Sequence, residues 1–379
     1  MKFIDLEAQQ KQLHPSGRTL KEEINNRILK VINKSQFISG PEVDELEEVL
    51  KNFIKCKYCI STSSGTDALL IALMSLDIKS GDEIITTPFS FISTAEVISL
   101  LGAIPVFVDI DPRTYNIDPK LVNEAITPKT KAIIAVSLYG QPADFSHLNS
   151  IGNKNNIPII EDGAQSFGSK HKDQFSCNLS TIGTTSFFPS KPFGAYGDGG
   201  ACFTNDEILA DRMRRISKHG QTKRYFHSEI GINGRLDTIQ AAILLAKFPL
   251  FEEEIKLRQK NAEFYTLNLN NNGILTTPFI SKNNTSVFAQ YTIQVDERSF
   301  IENYLKDNNI PTSVHYPLPL NDQPAFKNKY IKKDHIYKSN ISREVSQKVL
   351  SIPMHPWITQ IEQEKVIENL SKAIHQCVH

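Results

Sequence analysis

Three stretches decide the fold: Ile104-Pro-Val-Phe-Val-Asp109, Lys131-Ala-Ile-Ile-Ala-Val-Ser137 and Pro158-Ile-Ile-Glu-Asp162. Each is a short, near-continuous apolar run rather than an alternating one. Such runs read as strands covered on both faces, the signature of a mostly parallel sheet between helices. Working outward, Tyr58–Ser61, Glu83–Thr86, Thr185–Phe188 and Ala201–Thr204 are further strands. Helical patterns at Thr66–Leu76, Ser93–Leu101 and Lys120–Ile126 separate them, and Ser93-Thr-Ala-Glu96 has the spacing of a capping box. The region from about 58 to 205 is therefore an α/β unit.

Helices follow at Asp206–Lys218, Asp237–Phe248 and Phe251–Leu267. After the Asn-rich Asn268–Asn272 the pattern changes to strands at Phe288–Val295 and Thr312–Tyr316 and helices at Ser299–Asp307 and Gln360–His375. These spacings predict a large domain over 1–250 and a smaller α+β C-terminal domain over 251–379. Lys327–Lys333 reads as a solvated basic loop.

Composition excludes several classes. The 379 residues carry 42 Lys+Arg and 42 Asp+Glu, a formal net charge of zero, so nothing draws the chain as a whole to nucleic acid or anionic membrane. No run approaches the ~20 apolar residues of a membrane helix. The longest uncharged apolar-rich run, Val97–Val108, is interrupted by Ser99, Gly102 and Pro105. Asp5 and Glu7 stand where a signal peptide would need an apolar core, so a cytoplasmic location is expected. The five cysteines include Cys56-Lys-Tyr-Cys59, half of a zinc spacing, but no second pair or nearby histidine completes it and no metal is expected.

Four features could carry chemistry. Ser63-Ser-Gly65-Thr66-Asp-Ala68 joins a strand to a helix, where backbone N–H groups and hydroxyls favour an anion. Glu161-Asp162 ends a buried strand, and in open α/β sheets ligands sit beyond such ends. Lys191 follows Thr185-Ser186-Phe-Phe-Pro-Ser190 and precedes Gly194, Gly197, Gly199 and Gly200; a lysine in such a turn can lose its proton and attack a carbonyl. Asn233-Gly-Arg235 precedes an apolar helix and offers partners for phosphate or carboxylate. Taken alone, each also suits a helix cap, a solvated side chain or a turn. Their order is what a pyridoxal phosphate site requires: an anion cradle, a carboxylate for the ring nitrogen, a lysine for the Schiff base. Phe89 or Phe91 could stack on the ring.

The chain resembles the DegT–DnrJ–StrS family of nucleotide-sugar aminotransferases over nearly its whole length. The likeness is carried by Phe3-Ile-Asp-Leu6, Phe37-Ile-Ser-Gly-Pro-Glu-Val43, Ser64-Gly-Thr-Asp-Ala68 and Val136-Ser-Leu-Tyr-Gly-Gln141. It continues in Glu161-Asp-Gly-Ala-Gln165, Lys218-His-Gly220, Asn233-Gly-Arg235 and Val314-His-Tyr-Pro317. The resemblance implies the type I fold of pyridoxal phosphate enzymes, with Lys191 attaching the cofactor and acting as acid–base. It implies Asp162 at the pyridine nitrogen, Gln165 beside the ring, Phe91 stacked on it, and Gly65, Thr66 and Ser186 on the phosphate. It further implies that Asn233 reaches the phosphate of a second subunit, making a homodimer with shared sites. Ser35, Phe37, Ser190, Arg235, His315 and Tyr316 would face the sugar nucleotide. Ser64 departs from the pattern, since many members have Asn there.

Within the family the motifs look most like enzymes that use glutamate to aminate a UDP-linked 3-keto-2-acetamido uronic acid for bacterial surface polysaccharide, including O-antigen. Amination of a 4-keto hexose, a sugar dehydratase of the same fold, and a non-catalytic regulator stand as alternatives. Lys191 argues against the dehydratase, and Lys191 with Asp162 argues against the regulator.

Overall fold

The computed structural model describes residues 1–270, 276–326, 336–337 and 340–378. The basic run Lys327–Lys333 and the end of the Asn-rich link, 271–272, lie outside them.

Three helices lead in: α1 (Leu6–Gln10), α2 (Leu20–Lys34) and α3 (Pro41–Ile54). The first part of the alternating unit comprises β1 (Tyr58–Thr62), α4 (Gly65–Ser75), β2 (Glu83–Thr86), α5 (Ser93–Leu100), β3 (Ile104–Val108) and α6 (Pro119–Ala125). It continues through β4 (Thr130–Val136), α7 (Phe145–Asn155), β5 (Ile159–Asp162) and a small hairpin, β6 (Lys170–His171) and β7 (Gln174–Phe175). Next are β8 (Ile182–Ser186), β9 (Gly200–Thr204), α8 (Glu207–Ile216) and a second hairpin, β10 (Gln221–Lys223) with β11 (Phe226–His227). The rest is α9 (Thr238–Asn270), β12 (Tyr291–Gln294), α10 (Arg298–Asp307), β13 (Ile336–Tyr337), α11 (Asn340–Lys348), β14 (Val349–Ile352) and α12 (Gln360–Val378).

The central sheet has the order β1-β9-β8-β5-β4-β2-β3-β13. Its pairs are parallel except those of β9 with β1 and β8. The expected α/β architecture is therefore present. Strands β3, β4 and β5 are buried along almost their whole length because apolar clusters cover both faces. One cluster joins α4, α5 and α8 to the sheet, through Leu69, Ile71, Val97, Ile98, Met213 and Ile216. The other joins Val122, Phe145 and Leu148 to Ile85, Ile133 and Ile159.

The C-terminal part departs from expectation in three ways. First, α9 is a single helix through Pro249, where two helices were expected. Proline removes one helical hydrogen bond, but Phe248 and Phe251 on either side of it pack against Phe193 with ring centroids 6.0 and 4.8 Å away. Second, Thr312–Tyr316 forms no strand and makes one bridge, Ser313 to Ser351. Third, the antiparallel partner of β12 is the unforeseen β14. Position 250 falls inside α9, and β13 joins the central sheet beside β3. The C-terminal core gathers Tyr265, Tyr291, Ile293, Leu305, Leu350 and Leu370, with Met1 packed against it.

Candidate active site

The carboxyl ends of β1, β2, β5 and β8 open toward the same edge of the sheet, so the loops that follow them converge. At β1 the chain turns into α4. Ser64 caps that helix, its hydroxyl accepting from the Asp67 N–H at 3.0 Å. Gly65 is the first helical residue, and a Cβ there would lie 2.6 Å from Ser186 Cβ. Only glycine lets the helix start approach the end of β8 this closely. Thr66 Oγ1 shares a hydrogen bond with Ser93 Oγ at 2.8 Å. The cradle thus combines the open N–H groups of an eleven-residue helix with the hydroxyls of Thr66, Ser93 and Ser186, a donor set that fits a phosphate.

Asp162 and Glu161 end β5, and alternation along the strand sends them to opposite faces. Glu161 is wholly enclosed, accepting from Ser137 and Ser176 hydroxyls and the Cys177 N–H, each at 2.7 Å. Burial pushes its carboxyl up to about 7, against those three bonds. These three bonds occupy its lone pairs. Asp162, 6% exposed, accepts from Thr94 Oγ1 at 2.8 Å and the Ala164 N–H at 3.2 Å. Thr94 is in turn linked to Ser90 at 3.0 Å. Burial raises Asp162 above the ordinary carboxyl value, while the Thr94 bond, the Ala164 amide and the Lys191 charge oppose it. Among the described residues Asp162 makes no direct ion pair, the Lys191 charge acting on it only from a distance, so a cationic ring nitrogen would find a desolvated carboxylate open to it.

Lys191 sits in the loop after β8. Its backbone N–H donates to Phe188 C=O at 2.9 Å, and the Ala195 N–H to Phe187 C=O at 2.7 Å, which closes the loop on itself. Burial lowers the Lys191 pKa from the usual lysine value, with the Asp162 charge pulling the other way. That is the direction a nucleophilic or proton-transferring amine needs.

Gln165 bridges to the C-terminal part. Its Nε2 donates to Tyr316 Oη at 3.1 Å, and its Oε1 accepts from the Tyr139 N–H at 2.8 Å. The Tyr139 hydroxyl donates to the His315 carbonyl. His315 Nδ1 pairs with Ser351 Oγ at 2.9 Å. Burial, and next the Lys191 charge, push the His315 imidazole down to about 4, so it is neutral at working pH. Phe91 is 56% exposed, its ring 6.4 Å from that of Tyr316. Phe89, the other stacking candidate, is buried in the core and does not face a ligand.

Ser35, Phe37, Asn233 and Arg235 form a second group. Ser35 ends α2 in the left-handed conformation, and Phe37 C=O accepts from the Thr238 N–H at 3.0 Å, laying this segment along the start of α9. Gly234 C=O accepts from the Ser63 N–H at 3.0 Å, which places the Asn233 loop beside the anion cradle. Asn233 is exposed and Phe37 is 46% exposed. Arg235 donates to Asn233 Oδ1 at 2.7 Å, while its Nε is buried without a partner. Ser190 is half-buried at the Lys191 turn.

Two participants were not foreseen: Thr94, the hydroxyl on Asp162, and Tyr139, which holds Gln165 and His315. Ser93-Thr-Ala-Glu96 does not make a capping box. Ile92 is the N-cap residue, with no side-chain bond, and Ser93 turns its hydroxyl to Thr66 instead. The hydroxyl-rich run Ser90–Thr94 was the available signal. Among the described residues no group of three or more His, Cys, Asp or Glu could hold a metal ion, and Cys56 and Cys59 are buried free thiols.

An anion cradle, a buried carboxylate and a deprotonation-prone lysine at one edge of a parallel sheet define a pyridoxal phosphate enzyme. Comparison with known proteins gives the family: the chain belongs to the DegT/DnrJ/EryC1/StrS aminotransferase family, whose model matches residues 18–371. It is 54% identical over 358 residues to UDP-2-acetamido-2-deoxy-3-oxo-D-glucuronate aminotransferase of Pseudomonas aeruginosa, covering 94% of this chain and 96% of the relative. It is 40% identical to a pleiotropic regulatory protein of Geobacillus stearothermophilus, covering 98% and 97%. It is 35% identical to a UDP-N-acetyl-3-dehydro-alpha-D-glucosamine 3-aminotransferase of Acidithiobacillus ferrooxidans, covering 94% and 95%. A family aminotransferase from Brucella abortus superposes with a TM-score of 0.93 at 36% identity, covering 99% of both chains. A Bacillus subtilis protein solved with bound cofactor PMP superposes at 0.88 and 31% identity, covering 99% of this chain and 83% of that one. The protein is thus an aminotransferase with the type I fold, dependent on pyridoxal phosphate.

Proposed function

We propose that the protein transfers an amino group from glutamate to the 3-keto group of a UDP-linked 2-acetamido uronic acid. The observation that carries this reading is the 54% identity, over almost the full length of both chains, to an aminotransferase named for such a sugar. The relative named for a UDP-linked 3-dehydro glucosamine also carries its keto group at C3, which favours this position over the 4-keto alternative.

Pyridoxal phosphate, when bound, supplies the electron sink and carries the amino group between the two substrates. Gly65, Thr66 and Ser186 would hold its phosphate, Asp162 its ring nitrogen, Gln165 the ring edge, Phe91 a ring face, and Lys191 the carbon that receives the amine. Lys191 Nζ then moves the proton at the α-carbon of glutamate, as its lowered pKa favours. Thr94 keeps Asp162 oriented, and a negative charge there favours a protonated ring. Neutral His315 and Tyr316 offer hydrogen bonds to the sugar, Arg235 offers a bidentate clamp for carboxylate or phosphate, and Ser35, Phe37 and Ser190 add contacts.

The site is shared across a homodimer, Asn233 of one subunit serving the phosphate in the other. The exposure of Asn233 and Phe37 supports this. The chain divides into a cofactor domain, 1–250, and a small domain, 251–379, with the boundary inside α9. It works in the cytoplasm, on the route to surface polysaccharide such as O-antigen. No helix among the described residues is long and apolar enough to cross a membrane.

The test is incubation with glutamate and a panel of UDP- and TDP-keto sugars, with products identified by mass and NMR. A 3-amino uronate as the preferred product supports the reading. Efficient amination of 4-keto hexoses with none of the 3-keto uronate overturns it.

A further inference from the structure

The loop that carries Lys191 is gripped from behind by α9. Gly194 is where this loop closes: a Cβ there would lie 2.6 Å from Pro189 C=O and 2.7 Å from Phe188 C=O. Its own carbonyl accepts from Lys247 Nζ. Gln240, two turns earlier on α9, accepts from the Tyr196 N–H at 3.0 Å. Lys247 is 3% exposed, and its ammonium lies 5.3 Å from the Tyr196 ring centroid.

Lys247, Glu254 and Arg258 occupy one face of α9, in the i, i+7, i+11 series. Glu254 accepts from Gln9 Nε2 of α1 at 3.0 and 3.2 Å. Arg258 donates to Phe288 C=O at 3.2 Å and Met354 C=O at 3.4 Å in the C-terminal part. Burial drives the Lys247 ammonium down to about 8, with Glu254 opposing and Arg258 adding to the fall. A buried charge is a poor way to gain stability, because desolvation offsets most of the attraction. A phenylalanine cluster already anchors this loop, Phe193 lying 5.7 Å from Phe187 and 4.8 Å from Phe251. The charge is aimed instead at a single carbonyl three residues beyond Lys191.

We propose that Lys247 is a positioning residue: by holding the Gly194 carbonyl it fixes the turn that presents Lys191 to the cofactor carbon. The proposal rests on the reading of Lys191 as the attachment lysine.

The test uses the full-length protein with Lys247→Met, which keeps the stem and removes the charge, and Lys247→Met/Glu254→Gln, which also removes the nearby carboxylate charge while leaving an amide to meet Gln9. Three quantities are read: the Tm of the apoenzyme, the rate at which it gains visible absorbance on adding pyridoxal phosphate, and the kcat and KM for glutamate in a single half-reaction. Misplacing a reacting group by a fraction of an ångström to an ångström costs on the order of tenfold to a hundredfold. That loss is expected in absorbance gain and in kcat for both variants, with KM within about twofold and with the double variant close to wild type in Tm. Variants that fall in Tm while keeping both rates within about twofold of wild type overturn the proposal. If the single variant does not fold, the double variant decides by the same criteria. Lys191→Ala is the control: absorbance gain that survives it overturns the reading of Lys191 and the proposal with it. Absorbance lost there, with unchanged Lys247 variants, overturns the proposal alone.

Discussion

The two halves of the candidate site are built differently. The inner half, Asp162, Thr94, Gln165, Tyr139 and Tyr316, is enclosed within one chain and joined by side-chain bonds that cross the whole fold. The outer half, Ser35, Phe37, Asn233 and Arg235, lies along the start of α9, part exposed and held mainly through its backbone. The inner half has its partners already. The outer half has an exposed amide at Asn233, an exposed ring at Phe37 and an orphaned Arg235 Nε. Chemistry that must be the same for every substrate is thus preorganised inside the chain. On the proposed reading, recognition is left to a surface that a sugar nucleotide and a second subunit would complete.

The largest effects should therefore come from the inner half and from Lys191 beside it. Lys191→Ala should leave a folded protein without visible absorbance and with turnover down by at least ~10³-fold, since both covalent attachment and proton transfer go with it. Absorbance spectra and circular dichroism check this together. Asp162→Asn should still bind cofactor but slow both half-reactions by roughly 10²- to 10³-fold, the scale for losing one preorganised charge contact. Stopped-flow measurement of each half-reaction tests it, and a near-wild-type rate would remove Asp162 from the ring nitrogen.

In the outer half, Arg235→Lys should spare the glutamate half-reaction and weaken the keto-sugar half-reaction selectively. A charge-assisted bidentate bond is worth on the order of 2 kcal/mol, or about thirtyfold in kcat/KM. Equal losses in both half-reactions would move Arg235 to the inner half and break the comparison. The smallest effect concerns pH. Burial depresses the His315 imidazole, so its protonation is deferred from near 6.5 to about 4. It is then neutral on both sides of pH 6.5, and the keto-sugar rate should show no inflection there that His315→Gln abolishes.

The same division governs what could be read from the amino-acid sequence. The parallel strands were legible because Ile104–Val108, Ala132–Val136 and Ile159–Ile160 are apolar runs that only double burial explains. Lys191, Asp162 and the Gly65 cradle were legible because glycines, hydroxyls and charges stand where strands end. Thr94 on Asp162 was not, and neither was Tyr139 behind Gln165 and His315. These bonds join residues far apart in the chain, and nothing periodic marks them. Local rules also gave way to packing. Two helices, Asp237–Phe248 and Phe251–Leu267, were expected, yet Phe193, Phe248 and Phe251 pack together where they meet and α9 runs on through Pro249. Thr312–Tyr316 has strand composition, but β14 takes the place beside β12.

The most direct test of a site divided between an inner half and a shared outer half is subunit mixing. Under the proposed sharing, Asn233→Ala would damage the site of the neighbouring subunit, whereas Lys191→Ala would damage its own. In a mixed dimer both lesions fall in one site and the other is intact. Two variants that are each inactive, mixed in equal amounts under conditions of proven subunit exchange, should recover roughly a quarter of wild-type turnover, the value for random pairing in a two-fold dimer. No recovery would contradict the account and assign each site to a single chain.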